Sequence, residues 1–211
     1  MEIRVENLKK YYKNQIVLDI EKLKFESGKI TCIMGSNGSG KSTLINIIAG
    51  LISDYNGSVY YNNETLNNNI KMKMTLAFQN PYLMKMTVWE NLMYPLKIRG
   101  INKAEGNAMI EDILNDFGIY ELKDKKAHQL SGGEGQKVSI ARAMIFKPNI
   151  LLLDEPTASV DKEYTKIIEE KIIQYNKVTN STVIMITHNI GQANNLSNNI
   201  VYLEKGRLDI N

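Results

Sequence analysis

The sequence predicts an α/β fold with a mostly parallel core sheet flanked by helices. Three apolar segments carry that prediction, each ending in residues suited to chemistry. Lys29 to Met34 runs into a glycine-rich turn and a helix; Ile150 to Leu153 ends in Asp154 and Glu155; Thr182 to Ile186 ends in Thr187 and His188. Uninterrupted apolar runs of this length mark strands covered on both faces, as in parallel sheets. Ligands of open α/β sheets bind at the carboxyl ends of such strands, which is where these polar residues fall.

The first segment is the most specific. Gly35-Ser36-Asn37-Gly38-Ser39-Gly40-Lys41-Ser42-Thr43 fits the P-loop pattern, and Leu44 to Ala49 reads as the helix that follows, stopped by Gly50. Glycines let successive backbone N–H groups turn inward around a phosphate, and the helix N-terminus adds its positive dipole end. Lys41 can reach the β- and γ-phosphates, and the Ser42 hydroxyl can hold Mg²⁺.

A chain of 211 residues is long enough for one domain with a full core, here taken as residues 1–211. Its net charge of +3, from 26 basic and 23 acidic residues, lacks the basic excess of a nucleic-acid binder. The single cysteine, Cys32, reads as a small buried apolar residue. Charges in Met1-Glu2-Ile3-Arg4-Val5 and the shortness of every apolar run argue against a signal peptide or a membrane span, so the expectation is a cytosolic protein that reaches a membrane only through a partner.

Along the chain, Ile3/Val5 and Ile16/Leu18/Ile20 alternate like strands about a polar turn next to Tyr11 and Tyr12. Asp54 to Gly57 reads as a turn, Ser58 to Tyr61 as a short strand and Asn62 to Asn69 as a polar loop. Thr75 to Phe78 reads as a buried strand whose end carries Gln79, a candidate to reach the phosphate site. Residues 84–135 then read as a helical insertion, opened by the capping box Thr87-Val88-Trp89-Glu90 and continued by a helix over 103–117. Its methionines Met84, Met86 and Met93, with Trp89, fit helix core better than an adaptable docking surface. Ser131 and Glu134 form a second capping box at the start of a helix reaching Pro148, whose free N–H groups could hold a second anion. Residues 161–177 form an amphipathic helix, and Ile200 to Leu208 closes the chain as a hairpin-like pair of strands.

Adjacent carboxylates at a strand tip repel one another and are poorly explained by stability. Asp154 suits a Mg²⁺ shell, and Glu155 could orient and deprotonate an attacking water. With the P-loop, Gln79, Leu130-Ser131-Gly132-Gly133-Glu134, Asp154-Glu155 and His188 in that order, the whole chain resembles the ATP-binding subunits of ABC transporters. The resemblance implies an N-terminal antiparallel β subdomain, ATP and Mg²⁺ as cofactors, and ATPase activity. It also implies that Tyr12 stacks on adenine, that residues Gly35 to Thr43 hold the phosphates, and that Ser42, Gln79 and Asp154 serve the metal. Ser131, Gly132, Gly133 and Glu134 would act in trans on the ATP of a second copy. Glu155 would be the catalytic base, Ala158-Ser159-Val160-Asp161 the D-loop, and His188 the switch histidine. The implied partners are a second identical copy, integral-membrane permease subunits and an extracytoplasmic solute-binding protein, with the chain at the cytoplasmic face of the cell membrane. Lys137, where Arg is common, and Gly135 depart from the family pattern without removing a catalytic group.

Residues 79–100 resemble importers, and Asn189-Ile190-Gly191-Gln192-Ala193 after the histidine resembles the tungstate and molybdate importers. The alternatives are an export-type ATPase for lipoprotein or peptide release and a soluble non-transport ABC ATPase.

Overall fold

The computed structural model describes residues 1–158 and 160–209. Strands β1 (Ile3–Tyr12) and β2 (Gln15–Phe25) form an antiparallel hairpin, turned at Lys13 with φ 54°. Strand β3 (Ile30–Met34) leads through the glycine loop into helix α1 (Lys41–Ile48). Strands β4 (Asn56–Tyr61) and β5 (Glu64–Thr65) extend the hairpin into a four-stranded antiparallel sheet ordered β2-β1-β4-β5. Helix α2 (Asn68–Met72) precedes β6 (Met74–Ala77). Helices α3 (Val88–Ile98), α4 (Lys103–Asp116) and α5 (Gly132–Met144) fill the stretch before β7 (Ile150–Asp154). Helix α6 (Lys162–Thr179), β8 (Thr182–Ile186), α7 (Ile190–Leu196), β9 (Asn199–Glu204) and β10 (Arg207–Asp209) complete the order.

The main sheet has six strands in the order β10-β9-β3-β8-β7-β6, parallel except for the edge strand β10. Alternation along its central strands builds two cores. Ile30, Cys32, Leu151, Leu153, Val183 and Met185 face the helical side, together with Val88, Leu92, Ile110, Val138 and Ile168. Ile33, Ile150, Leu152, Ile184 and Ile186 face the other way, onto α1 and the antiparallel sheet. Helix α1 is therefore wedged between two sheets, with Leu44, Ile45, Ile47 and Ile48 buried on every side. The prediction of central strands covered on both faces holds, because only such strands can be apolar at every position. Burial also pushes the Cys32 thiol up to about 11, which keeps it an inert apolar filler.

Three local readings change. The polar loop expected over 62–69 contains β5 and the start of α2, because the Asn67 side chain accepts the Ile70 N–H at 3.0 Å and Ile70 is buried. The turn over 54–57 gives way to strand at Asn56, where pairing with Lys9 overrides the turn propensity of Asn-Gly. Met84 and Met86 lie ahead of α3 rather than in its core; Met93 is buried.

Arg99 fastens the end of α3 to the end of α2 and to the segment after α5. Its Nε donates to Met72 O at 2.8 Å and its guanidinium lies 3.3 Å from the centroid of the Phe146 ring. Leu152 sits at 0% exposure in β7, so Leu152→Ala should cost about 3 kcal/mol of unfolding free energy in denaturant titration. A loss below about 1 kcal/mol would contradict the packing described.

Candidate active site

The parallel register brings the predicted residues to one edge. The P-loop leaves β3, Gln79 follows β6, Asp154 and Glu155 end β7, and His188 follows β8. Together Val17, Asn37, Gly38, Gly40, Lys41, Ser42, Thr43, Gln79, Glu155 and His188 line a cleft of about 530 Å³.

At the P-loop, positive φ is needed at Gly35 (146°), Gly38 (77°) and Gly40 (104°). A Cβ on Gly35 would stand 1.9 Å from Leu203 O, whereas one on Gly38 would meet nothing within 4 Å, so Gly38 serves the open side of the loop. Helix α1 is the one α-helix among the described residues whose N-cap makes no side-chain hydrogen bond; the other six are capped by Asn, Thr, Ser or Asp. Its first N–H groups and dipole are thus presented to the cleft, the arrangement that binds anions. Lys41, only 6% exposed, donates to Gly35 O at 3.0 Å and Ser36 O at 2.8 Å. Burial lowers its pKa, opposed by the nearby charges of Glu155, Asp154 and Glu204.

Asp154 is buried, and desolvation raises its pKa although the Ser42 hydroxyl hydrogen-bonds it and Lys41 lies near. Among the described residues no three His, Cys, Asp or Glu side chains form a metal cage. The donor set is hydroxyl, carboxylate and amide oxygen beside a phosphate-binding loop. That fits Mg²⁺, which keeps waters and phosphate ligands and takes few from the protein.

Glu155 has φ 47°, a left-handed conformation that strains a non-glycine residue, and its N–H is held by Ile186 O at 3.1 Å. Both carboxylate oxygens have partners: His188 Nε2 at 2.8 Å from Oε1, and Gln79 Nε2 donating to Oε2 at 3.0 Å. Two residues remote in sequence, Gln79 and His188, thus converge on one carboxylate at the cleft.

The other expected residues lie elsewhere. Tyr12, 48% exposed, stands at the tip of the β1–β2 hairpin with Lys10 Nζ 4.8 Å from its ring centroid, outside the residues that line the cleft. Ser131 to Glu134 also lie outside that lining, and Ser131 and Gly132 are exposed. The start of α5 is less bare than expected, because the Ser131 hydroxyl accepts the Glu134 N–H at 3.2 Å while Glu134 takes the Ser131 N–H at 2.8 Å. These hydrogen bonds, the backbone one first, hold the Glu134 carboxyl below its ordinary value, and Lys125 pairs with it at 3.2 Å. The N–H groups of Gly132 and Gly133 are what remain for an anion. Lys137, the Arg replacement, stacks 3.6 Å from the centroid of Tyr164. Asp161 caps α6 by accepting the Tyr164 N–H at 2.8 Å; Ser159 falls outside the described residues.

Two contacts were not legible in the sequence. Ser36 Oγ donates to both Glu204 oxygens, at 2.9 and 2.8 Å, tying the P-loop to the end of β9. Gln136, fully buried in α5, donates to Pro156 O at 2.9 Å, one residue past Glu155. The only signal for Glu204 was a charge closing an apolar strand.

The sequence profile described as ABC transporter matches residues 18–158. The chain belongs to the ABC transporter family. It is similar to the tungstate uptake system ATP-binding protein TupC of Peptoclostridium acidaminophilum, 50% identical over 208 residues that span 99% of this chain and 97% of that protein. The phosphate import ATP-binding protein PstB of Aeropyrum pernix is 38% identical, covering 99% and 88% of the two chains. Among solved structures, a dimeric bacterial ABC transporter cassette superposes with TM-score 0.92 at 31% identity, over 99% of this chain and 97% of that one. A dimeric post-hydrolysis cassette bound to ADP and Pi gives TM-score 0.91 at 30% identity, with the same coverage. As an ABC ATP-binding protein, this chain binds and hydrolyses ATP.

The desolvated Asp154 charge opposes folding while no cation offsets it. Asp154→Asn should therefore leave the melting temperature of the nucleotide-free protein equal or higher, and should abolish the rise that Mg²⁺ adds to stabilisation by ATP. A lower melting temperature without nucleotide would show that the Ser42 and Lys41 contacts outweigh desolvation.

Proposed function

We propose that the chain is the motor subunit of an oxyanion importer that carries tungstate or molybdate. The observation that carries the ATPase half of this reading is the meeting of Gln79, Glu155 and His188 at the mouth of the P-loop cleft. The similarity to a tungstate uptake ATP-binding protein along nearly the full chain supports the solute, and the import relatives favour import over lipoprotein or peptide export.

The P-loop N–H groups and Lys41 bind the β- and γ-phosphates, with Tyr12 reaching the base from the hairpin tip. Ser42, Asp154 and Gln79 hold Mg²⁺, which supplies charge neutralisation of the phosphates. Glu155 accepts the proton of the attacking water as general base, since each carboxylate oxygen keeps a lone pair beside its hydrogen bond with Gln79 or His188. His188 keeps the carboxylate in place and faces the cleft. Ser131 to Glu134 serve the cleft of a second identical copy, which agrees with the exposure of Ser131 and Gly132 and with the place of all four outside the lining of their own cleft; Asp161 lies beside that interface.

Membrane permease subunits dock in a groove of about 500 Å³ on the helical side, whose lining includes Met86, Trp89, Met93 and Tyr94 with the charged Glu90, Lys97 and Lys103. The segment between Gln79 and this groove is fastened at both ends. Asn91 accepts the Met84 N–H at 2.9 Å, and Arg142 of α5 donates to Tyr82 O at 2.6 Å. A push on the groove therefore reaches the segment after Gln79 and the last turn of α5 together. Among the described residues no helix is long and apolar enough to cross a membrane. The chain sits at the cytoplasmic face through the permease, and a solute-binding protein delivers the oxyanion outside.

Glu155→Gln should lower turnover by at least about 100-fold while ATP binding persists, and ATP should then hold two copies together on size exclusion. Wild-type turnover in that variant would remove Glu155 from its role. Trp89→Ala should leave the ATPase of the isolated subunit intact and uncouple it from tungstate transport when reconstituted with the permease. Stimulation of the assembled complex by peptides rather than by tungstate or molybdate would overturn the solute assignment.

A further inference from the structure

The stretch Asn189 to Ala193 entered only as a likeness to one group of importers, yet its glutamine occupies a central structural position. Gln192 is 3% exposed at the start of α7. Its amide oxygen accepts the Thr187 hydroxyl at 2.6 Å, and its amide nitrogen donates to Thr157 Oγ1 at 3.0 Å and to Glu169 Oε1 at 3.0 Å. Its own N–H is held by Asn189 Oδ1 at 3.1 Å, and the Asn189 N–H donates back to Thr187 Oγ1 at 3.1 Å.

Each partner leads to the catalytic carboxylate by a different route. Thr187 precedes His188 at the end of β8. Thr157 lies two residues past the strained Glu155. Glu169 belongs to α6, an 18-residue helix packed on the sheet through Ile168 and Ile172. We propose that Gln192 is a positioning residue for ATP hydrolysis: one side-chain amide joins the end of β8, the turn after β7 and α6, and so fixes the 2.8 Å approach of His188 to Glu155.

The chemistry requires an amide. Thr187 spends its one hydroxyl proton on position 192 while its oxygen accepts the Asn189 N–H, so position 192 offers the acceptor for that proton. Glu169 is a carboxylate and accepts only, so position 192 must also offer a donor. Glutamate there would set two carboxylates about 3 Å apart and lose the donor. An apolar side chain would remove the Gln192 partner of Thr187, Thr157 and Glu169 at once, and the buried Thr187 hydroxyl would lose the acceptor for its proton. The charged groups around this network, in a cavity of about 610 Å³ on the far side of Glu155, are Glu155, Lys162, Lys166, Glu169 and His188. Gln192 lies outside the lining of the P-loop cleft, so its effect should fall on the chemical step and not on ATP binding.

This inference rests on the roles proposed for Glu155 and His188, and a charge swap tests it. In steady-state ATPase assays Gln192→Glu should lower kcat by about tenfold or more, the scale of a misplaced catalytic group, with KM for ATP unchanged within about twofold. Gln192→Met should do the same without adding charge. The double variant Gln192→Glu with Glu169→Gln restores one donor and one acceptor across the pair, and should recover kcat to within about threefold of wild type. Unchanged kcat in both single variants, a KM that rises as much as kcat falls, or no recovery in the swap would each overturn the proposal. Loss of fold in the swap would also count against it, since the network is conserved there. Glu155→Gln assayed alongside separates the two readings: turnover retained in that variant refutes the role of Glu155, whereas an inactive Glu155→Gln beside a fully active Gln192→Glu refutes only the role of Gln192.

Discussion

The parallel pairing of β3, β8, β7 and β6 is the constraint on which the rest of this structure depends. In register, Ile33 stands opposite Ile186, and Ile186 opposite Asp154. Strands that run the same way end on the same edge, so the P-loop, Gln79, Glu155 and His188 meet although 109 positions separate Gln79 from His188. An antiparallel neighbour at any of these places would send one of the groups to the opposite end of the sheet. The two apolar faces hold the register, because a slip of one residue would exchange the cores on either side.

The edge so formed concentrates unlike demands. Lys41, Asp154 and Glu155 are drawn together where burial disfavours the charges of Lys41 and Asp154, and the chain meets this with specific contacts. Lys41 leans on loop carbonyls, Asp154 on the Ser42 hydroxyl, and Glu155 on Gln79 and His188. The left-handed backbone at Glu155 belongs to the same economy of strain, held by Ile186 on one side and by the Thr157–Gln192 contacts on the other.

A second theme is that the site is tied to surfaces far from it. Asn91 and Arg142 bind the segment after Gln79 to α3 and α5, while Gln136 binds α5 to Pro156. Helix α5, the groove on the helical side and the Glu155 turn are therefore linked by hydrogen bonds that cannot break singly without exposing buried polar groups. Such a connection is what a motor needs if events at the phosphate are to be felt at a membrane partner.

The sequence by itself determined the strands covered on both faces, the P-loop and its helix, both capping boxes and the order of the chemical residues. Each of these rests on neighbours in the chain: apolar runs, glycine spacing, or a side chain reaching three residues ahead. Family resemblance then supplied roles for Gln79, Ser131 to Glu134, Glu155 and His188. Only the tertiary structure decided that Gln79 and His188 share the Glu155 carboxylate, that Ser131 to Glu134 stand apart from their own cleft, and that Glu204 anchors the P-loop. It likewise turned Gln192 from a letter in a motif into a junction of three elements. Such contacts join positions 5 to 168 residues apart across different strand ends. No local pattern encodes them, because they exist only once the sheet has fixed which ends lie side by side.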